Sequence, residues 1–401
     1  MKILFITARI PHAGVAGGYS LVYQRICRLI DRGHQVGLAS LAGPGDPDPA
    51  TLDFRPRLLE CETVPAPRPV GWLRKLFRLA TTGIPPYFWE YRSPALMRVI
   101  GDMVDRSGYD VAIAEFSAMG QYLVRNPHLP AVRKIISCHF GIANAYRSIA
   151  RTMGMTPSGL RSRFNINRAL NYEIFMYRSV DRVLVLTAHD RYNLLNTDPT
   201  LHINVIPCGV DAAYFRPPDD APRAKSIIFT GQYDNIANLD AVRWFVSTCW
   251  PLVKKMHPDL VFHVVGPGAR DELQAIARRD SSIVVTGEVG DVRPHLHRSM
   301  VYVCPVRLGS GLRFKLFEAM AAGVPVVTTS LGADGIPLQS GDNCFVADTP
   351  EIMAGVIDLL LSDDELRQSV ARHARELVRD RFDWNQGINL MERVINDTFM
   401  H

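Results

Sequence analysis

One pattern constrains this chain more than any other. Short apolar runs rich in β-branched residues alternate with stretches of helical periodicity along its whole length. Ile3–Thr7 leads into Tyr19–Arg32, where Val22, Ile26 and Leu29 recur at helical spacing and Gly33 stands where a helix end favours glycine. His34–Leu38 predicts a second strand, followed by Val111–Ala114, Lys134–Ser137, Val183–Leu186 and Ile203–Ile206. A second series runs through Ser226–Phe229, Val261–Val265, Ile283–Val285, Val301–Cys304 and Val324–Thr328. Strands that are apolar at consecutive positions are buried on both faces, which implies parallel sheets covered by helices, the doubly wound α/β arrangement. The proline- and charge-rich segment Asp211–Lys225 separates the two series and suits a linker. A chain of 401 residues also exceeds one ordinary core, so two domains are expected.

Bulk properties narrow the class. Seven cysteines lie far apart with no C-x-x-C pair, which predicts reduced, mostly buried thiols and no zinc site. The apolar start Ile3–Ile6 is short and is soon followed by Arg9, so it reads as a buried strand and not as a secretory leader. No window offers the roughly 18–20 apolar residues of a membrane-spanning helix. A cytoplasmic protein, with any membrane contact peripheral on the inner face, is therefore expected. Lysines and arginines are spread along the chain, which speaks against a nucleic-acid partner; the net charge of +5 is compatible with phosphates or an anionic membrane surface. Residues 71–79, GWLRKLFRL, mix aromatic and basic side chains and are a candidate for such a surface. Asp46-Pro47-Asp48 imitates a metal-binding D-x-D but sits among prolines and glycines, so a solvent loop is expected and no metal ligand is assigned.

The most informative stretch is PVRLGSGLRFKLFEAMAAGVPVVT, Pro305 to Thr328. It reads as the end of a strand, a glycine loop (Gly309-Ser310-Gly311), a helix from about Arg313 to Ala322, Gly323, and another strand. A glycine loop opening a helix presents unpaired backbone N–H groups and the positive end of the helix dipole, which together form a phosphate site. Arg313 and Lys315 add charge there, and Glu318, three residues beyond Lys315, shares its helix face and suits a ribose diol.

This segment resembles the donor-binding motif of retaining GT-B glycosyltransferases, specifically glycosyltransferase family 4. Glu318-Ala319-Met320-Ala321-Ala322-Gly323-Val324-Pro325-Val326-Val327 matches the second half of the family's Glu-x7-Glu signature, while Ser310 replaces its first glutamate. The residues are closer to a subgroup with the pattern P-x-R-x-G-S-G-x-R-x-K-x-x-E-A-M. Val205–Asp211 is similar to the V-I-P-N-G-V-D end of the family's first domain, with Cys208 in place of asparagine. Phe382-Asp383-Trp384 is similar to the start of its last helix.

The resemblance implies two facing Rossmann-like domains, with boundaries expected at 1–212 and 213–381, and a final helix, 382–401, crossing back to the first domain. It implies a metal-independent retaining transferase that needs no cofactor beyond its nucleotide-sugar substrate, held in the cleft between the domains. Arg313, Lys315 and His139 would be catalytic. Gly17, Gly18, Gly231, Arg307, Gly309, Ser310, Gly311, Leu316 and Glu318 would bind the UDP- or GDP-sugar donor, and a glycan or lipid-linked molecule would accept the sugar. A nucleotide-sugar 2-epimerase of the same fold, or a degenerate module that binds nucleotide sugars without turning them over, are the alternatives.

Overall fold

A computed structural model describes residues 1–12, 18–68, 82–217, 223–309 and 312–400. Within it the chain divides into two compact units, residues 1–207 with 387–401, and residues 208–386. Each is a parallel sheet between layers of helices.

Unit 1 contains β1 (Lys2–Thr7), α1 (Gly18–Asp31), β2 (Gln35–Ala42), β3 (Glu60–Pro65), α2 (Pro94–Ser107), β4 (Val111–Glu115), β5 (Arg133–Cys138), α3 (Ile142–Met153), α4 (Pro157–Arg178), β6 (Arg182–Val185), α5 (Ala188–Thr197) and β7 (Ile203–Val205). The strands form one sheet in the order β3-β2-β1-β4-β5-β6-β7, every pair parallel. Successive residues of β1 point to opposite faces, as the pleat requires. Leu4 and Ile6 enter one core with Ile100 and Met103 of α2, while Ile3 and Phe5 enter another with Val22, Ile26 and Leu29 of α1. The predicted strands are all present. β3 went unpredicted because it is an edge strand whose residues stay only half-buried or exposed and whose last residue is a proline, which only an edge tolerates.

Unit 2 contains β8 (Ser226–Thr230), α6 (Ile236–Trp244), β9 (Val261–Val265), α7 (Arg270–Arg279), β10 (Ile283–Gly287), β11 (Val301–Cys304), α8 (Phe314–Ala321), β12 (Val326–Thr328), β13 (Phe345–Val346), α9 (Pro350–Ser362) and α10 (Asp364–Arg381). Its order is β10-β9-β8-β11-β12-β13, again all parallel. The two-residue edge strand β13 is too short to leave a periodic trace in sequence. The segment before β8 is anchored in unit 2 at Val210, which bridges to Asp383, and at Arg223, which donates to the carbonyls of Ser299 and Gly323.

The last helix, α11 (Trp384–Asp397), carries Ile388, Met391 and Ile395 at helical spacing, and all three are buried with Val394 in the α1 side of unit 1. Glu392 on the same helix accepts hydrogen bonds from Arg32 at 2.5 Å and pairs with His34 at 2.8 Å, fastening α11 to the end of α1.

Candidate active site

In an open parallel sheet the crevice for a ligand opens beyond the strand C-termini where the winding reverses. The strand orders place that reversal between β1 and β4 in unit 1 and between β8 and β11 in unit 2. Of the described residues among those expected from sequence, Gly231, Arg313 and Lys315 lie near the reversal in unit 2, and Gly18 and His139 near that in unit 1.

In unit 2, Gly231 follows β8, and α8 begins shortly after β11. Arg313 occupies the position just before α8 and donates to the Leu308 carbonyl at 3.2 Å. Lys315, in the first turn, reaches back across the sheet end. Its ammonium lies 2.7 Å from Asn238 Oδ1 and 4.4 Å from the centre of the Phe229 ring. Asn238 is held in turn by its own bond to the Gln232 carbonyl at 2.8 Å. Gly231 allows a close approach: a Cβ there would stand 3.0 Å from the Lys315 Nζ and 3.1 Å from Asn238. Gly309, at φ 91°, lies against Arg313 and Ala237 and adopts a backbone conformation that favours glycine.

The electrostatics of this helix end are unusual. Burial pushes the Lys315 ammonium down to about 8, with the neighbouring Arg313 charge acting in the same direction. Burial lowers Arg313 as well. Burial raises the Glu318 carboxyl to about 7, and Lys315 only partly opposes it. Two cations are thus held together at the positive end of a helix, at a cost that a bound anion would remove. Ser310 and Gly311 lie outside the described residues. Arg307 Nη2 donates to both carboxylate oxygens of Asp240, at 3.0 and 3.1 Å, and its guanidinium lies 5.0 Å from the Trp244 ring centre. Leu316 is fully buried and its N–H is bound to the Arg313 carbonyl, so its structural contribution is packing of the helix start.

In unit 1 the corresponding position is built around His139, just beyond β5. Its Nε2 lies 2.6 Å from Glu115 Oε2 at the end of β4. Glu115 is fully buried and is also bound by Arg25 of α1, at 3.0 and 3.2 Å, and Arg25 in turn donates to Ser137 Oγ at 2.7 Å. Burial alone would raise Glu115, but the Arg25 charge and the His139 hydrogen bond outweigh it and hold the carboxylate at about 2. Burial lowers His139, so its ring is neutral near pH 7. A neutral ring whose Nε2 faces a carboxylate carries its proton there, which leaves Nδ1 as an acceptor. Among the described residues Nδ1 has no hydrogen-bond partner although it is buried. It lies beside the first residue of α1: a Cβ on Gly18 would stand 2.8 Å from it. Gly17 and the rest of residues 13–17 lie outside the described residues, as does segment 71–79.

Phe116 lies against the imidazole with ring centres 4.2 Å apart and planes tilted by 33°, and holds a positive φ of 71°. A bulky residue in that region is strained, and such strain persists where the surroundings over-determine it. Arg25 and Glu115 lie within an ordinary helix and strand pattern and Phe116 follows directly after β4, so none of them carried a signal in sequence. Only the sheet order brings them under His139.

Comparison with known proteins agrees with this architecture. Residues 16–214 match the family description "Glycosyltransferase Family 4" and residues 224–363 match "Glycosyl transferases group 1". The sucrose-phosphate synthase structure of Thermosynechococcus elongatus superposes with a TM-score of 0.72 at 17% identity, covering 100% of this chain and 99% of that one. HepE of Anabaena, solved with UDP and glucose, superposes with a TM-score of 0.68 at 14% identity, over 99% of each chain. The fold is thus the two-domain GT-B architecture of glycosyltransferases. The chain belongs to glycosyltransferase family 4. A curated relative, the phosphatidyl-myo-inositol mannosyltransferase of Mycolicibacterium smegmatis, is 32% identical over 45% of this chain. That similarity spans about half the length of the relative, 48%.

Proposed function

We propose that this protein is a retaining glycosyltransferase that moves a hexosyl group from a UDP- or GDP-sugar to a glycan or lipid-linked acceptor. The observation that carries the reading is the pair of cations, Arg313 and Lys315, concentrated at the start of α8 beside Gly231 and Asn238. Such a helix end suits a diphosphate, and it is most favourable when the diphosphate departs and its charge grows. In this reading Glu318, one turn further, accepts the ribose hydroxyls. His139 Nδ1 accepts a hydroxyl of the donor sugar, with Gly18 leaving room for close approach. The donor's own departing diphosphate takes the acceptor proton, so no carboxylate pair and no metal is assigned. The HepE structure with UDP and glucose is in keeping with a nucleotide-sugar donor, and the mannosyltransferase relative with transfer of a hexosyl group.

The test is a thermal-shift screen against UDP- and GDP-sugars, followed by transfer assays. A specific donor at about 100 times its Kd stabilises the native state by about 2.7 kcal/mol. Arg313→Ala, Lys315→Ala and Glu318→Ala are expected to stay folded and to lose at least two orders of magnitude in transfer. Full activity in Lys315→Ala would discard the phosphate assignment. Donor stabilisation without transfer or hydrolysis would leave a binding module, and donor isomerisation without an acceptor product would leave an epimerase.

A further inference from the structure

We propose that the α3–α4 hairpin of unit 1 is a docking surface for an anionic lipid bilayer. This rests on features separate from the donor site and does not depend on the donor-site reading. From Phe140 to Tyr172 the sequence carries five arginines (Arg147, Arg151, Arg161, Arg163 and Arg168) and not one aspartate or glutamate. The two helices pack against each other, yet the hairpin leaves large apolar side chains in solvent. Met155, at the turn between them, is 74% exposed and Phe164 is 58% exposed, with Ile149, Leu160 and Phe175 exposed as well.

The arrangement is ordered. At 3.6 residues per turn, Leu160, Phe164 and Phe175 fall within about 60° of one another on α4, with Arg161 and Arg168 on one flank and Arg163 on the other. The buried residues of α4, among them Gly159, Ser162, Asn165, Ala169 and Tyr172, occupy the opposite face. Among the described residues none of Arg147, Arg161, Arg163 and Arg168 pairs with a carboxylate. Arg168 lies over the Phe164 ring at 3.6 Å, and Arg147 binds the Asn144 amide oxygen. Several exposed arginines elsewhere are paired, among them Arg57 with Asp31, Arg106 with Glu60, Arg243 with Glu272 and Arg307 with Asp240.

Charge complementarity selects the occupant. A second copy of the same face would set arginines against arginines. A soluble anionic polymer would use the cations but leave the methionine, leucine and phenylalanine in water. An anionic bilayer uses both, with cations at the phosphates and apolar side chains at the acyl boundary.

The experiment is co-sedimentation of the full chain with vesicles of phosphatidylcholine mixed with phosphatidylglycerol, and with pure phosphatidylcholine. The protein is expected to bind the anionic vesicles only, and less as salt rises. The triple variant Arg161→Glu, Arg163→Glu, Arg168→Glu should bind roughly 100-fold more weakly, with unchanged circular dichroism. Separately, Phe164→Trp should show blue-shifted emission on the anionic vesicles, relative to the wild-type protein. The proposal is overturned if the wild type does not bind these vesicles, or if the triple variant binds like the wild type. It is equally overturned if Phe164→Trp emission is unmoved by vesicles or shifts with heparin alone. Loss of binding on changing Arg74, Lys75 and Arg78, with none in the triple variant, would assign the contact to residues 71–79 instead.

Discussion

Replacing Glu115 by glutamine removes one charge from the centre of unit 1 and almost nothing else. The amide oxygen can still accept the proton from His139 Nε2, so the loss falls on Arg25, whose side chain is only 2% exposed and whose counter-ion is gone. The magnitude follows from the carboxylate. Its pKa falls from the ordinary 4.5 to about 2 in the folded protein, where the Arg25 charge outweighs the opposing effect of burial. At about 1.4 kcal/mol per pKa unit, the native surroundings favour the ionised form by about 3 kcal/mol. Breaking a buried ion pair from one side costs about 3–5 kcal/mol, which agrees. For a unit of roughly 200 residues, 3 kcal/mol corresponds to a fall in Tm of about 6–12 °C. The sign of the pH dependence is fixed by the direction of the shift. A carboxylate with a depressed pKa contributes its full stabilisation above pH 4.5, and loses it as pH falls toward 2. Differential scanning calorimetry of wild type and Glu115→Gln between pH 8 and pH 3 should therefore show a constant gap down to about pH 5 that narrows below it. A gap under about 2 °C at pH 7, or one equally wide at pH 3, would show that the Arg25–Glu115 pair does not hold this region together.

The remaining predictions concern the two sheet ends and the last helix. Because the Lys315 ammonium sits at about 8, kcat/KM for the donor should decline above pH 8 as its charge is lost; Lys315→Arg should move that limb to higher pH, and an unmoved limb would separate it from Lys315. Because Glu318 sits at about 7, the donor KM should rise below pH 7 as the carboxyl takes up a proton, and Glu318→Gln should show a high KM at every pH with no acid limb. Gly18→Ala puts a methyl 2.8 Å from His139 Nδ1 and from the Phe116 ring, and should lower kcat/KM at least tenfold while costing about 1–3 kcal/mol in stability; wild-type kinetics would show that the imidazole has room to move. Met391→Ala, at a fully buried position of α11, should destabilise unit 1 by about 2–5 kcal/mol in chemical denaturation.

Much of this protein was legible without coordinates, because its information is local. A strand buried on both faces must be apolar at each position, so β1, β4, β5, β8, β9 and β11 announced themselves, and with them the parallel α/β class. The α8 segment was legible for the same reason: a glycine loop, two cations and a glutamate at fixed helical offsets are neighbours along the chain. Tertiary structure decided what depends on distant segments. Lys315 meets Asn238, 77 positions away, only because β8 and β11 lie side by side. The same alignment leaves Arg307 turned to Asp240. Arg25 of α1 is 90 positions from Glu115 at the end of β4, and Glu115 is 24 from His139 just beyond β5; they meet because the sheet places β4 between β1 and β5. A buried charge costs too much to stand alone, and its partner need not be close in sequence. Periodicity reports which face of an element is buried; it carries no record of which ions meet there.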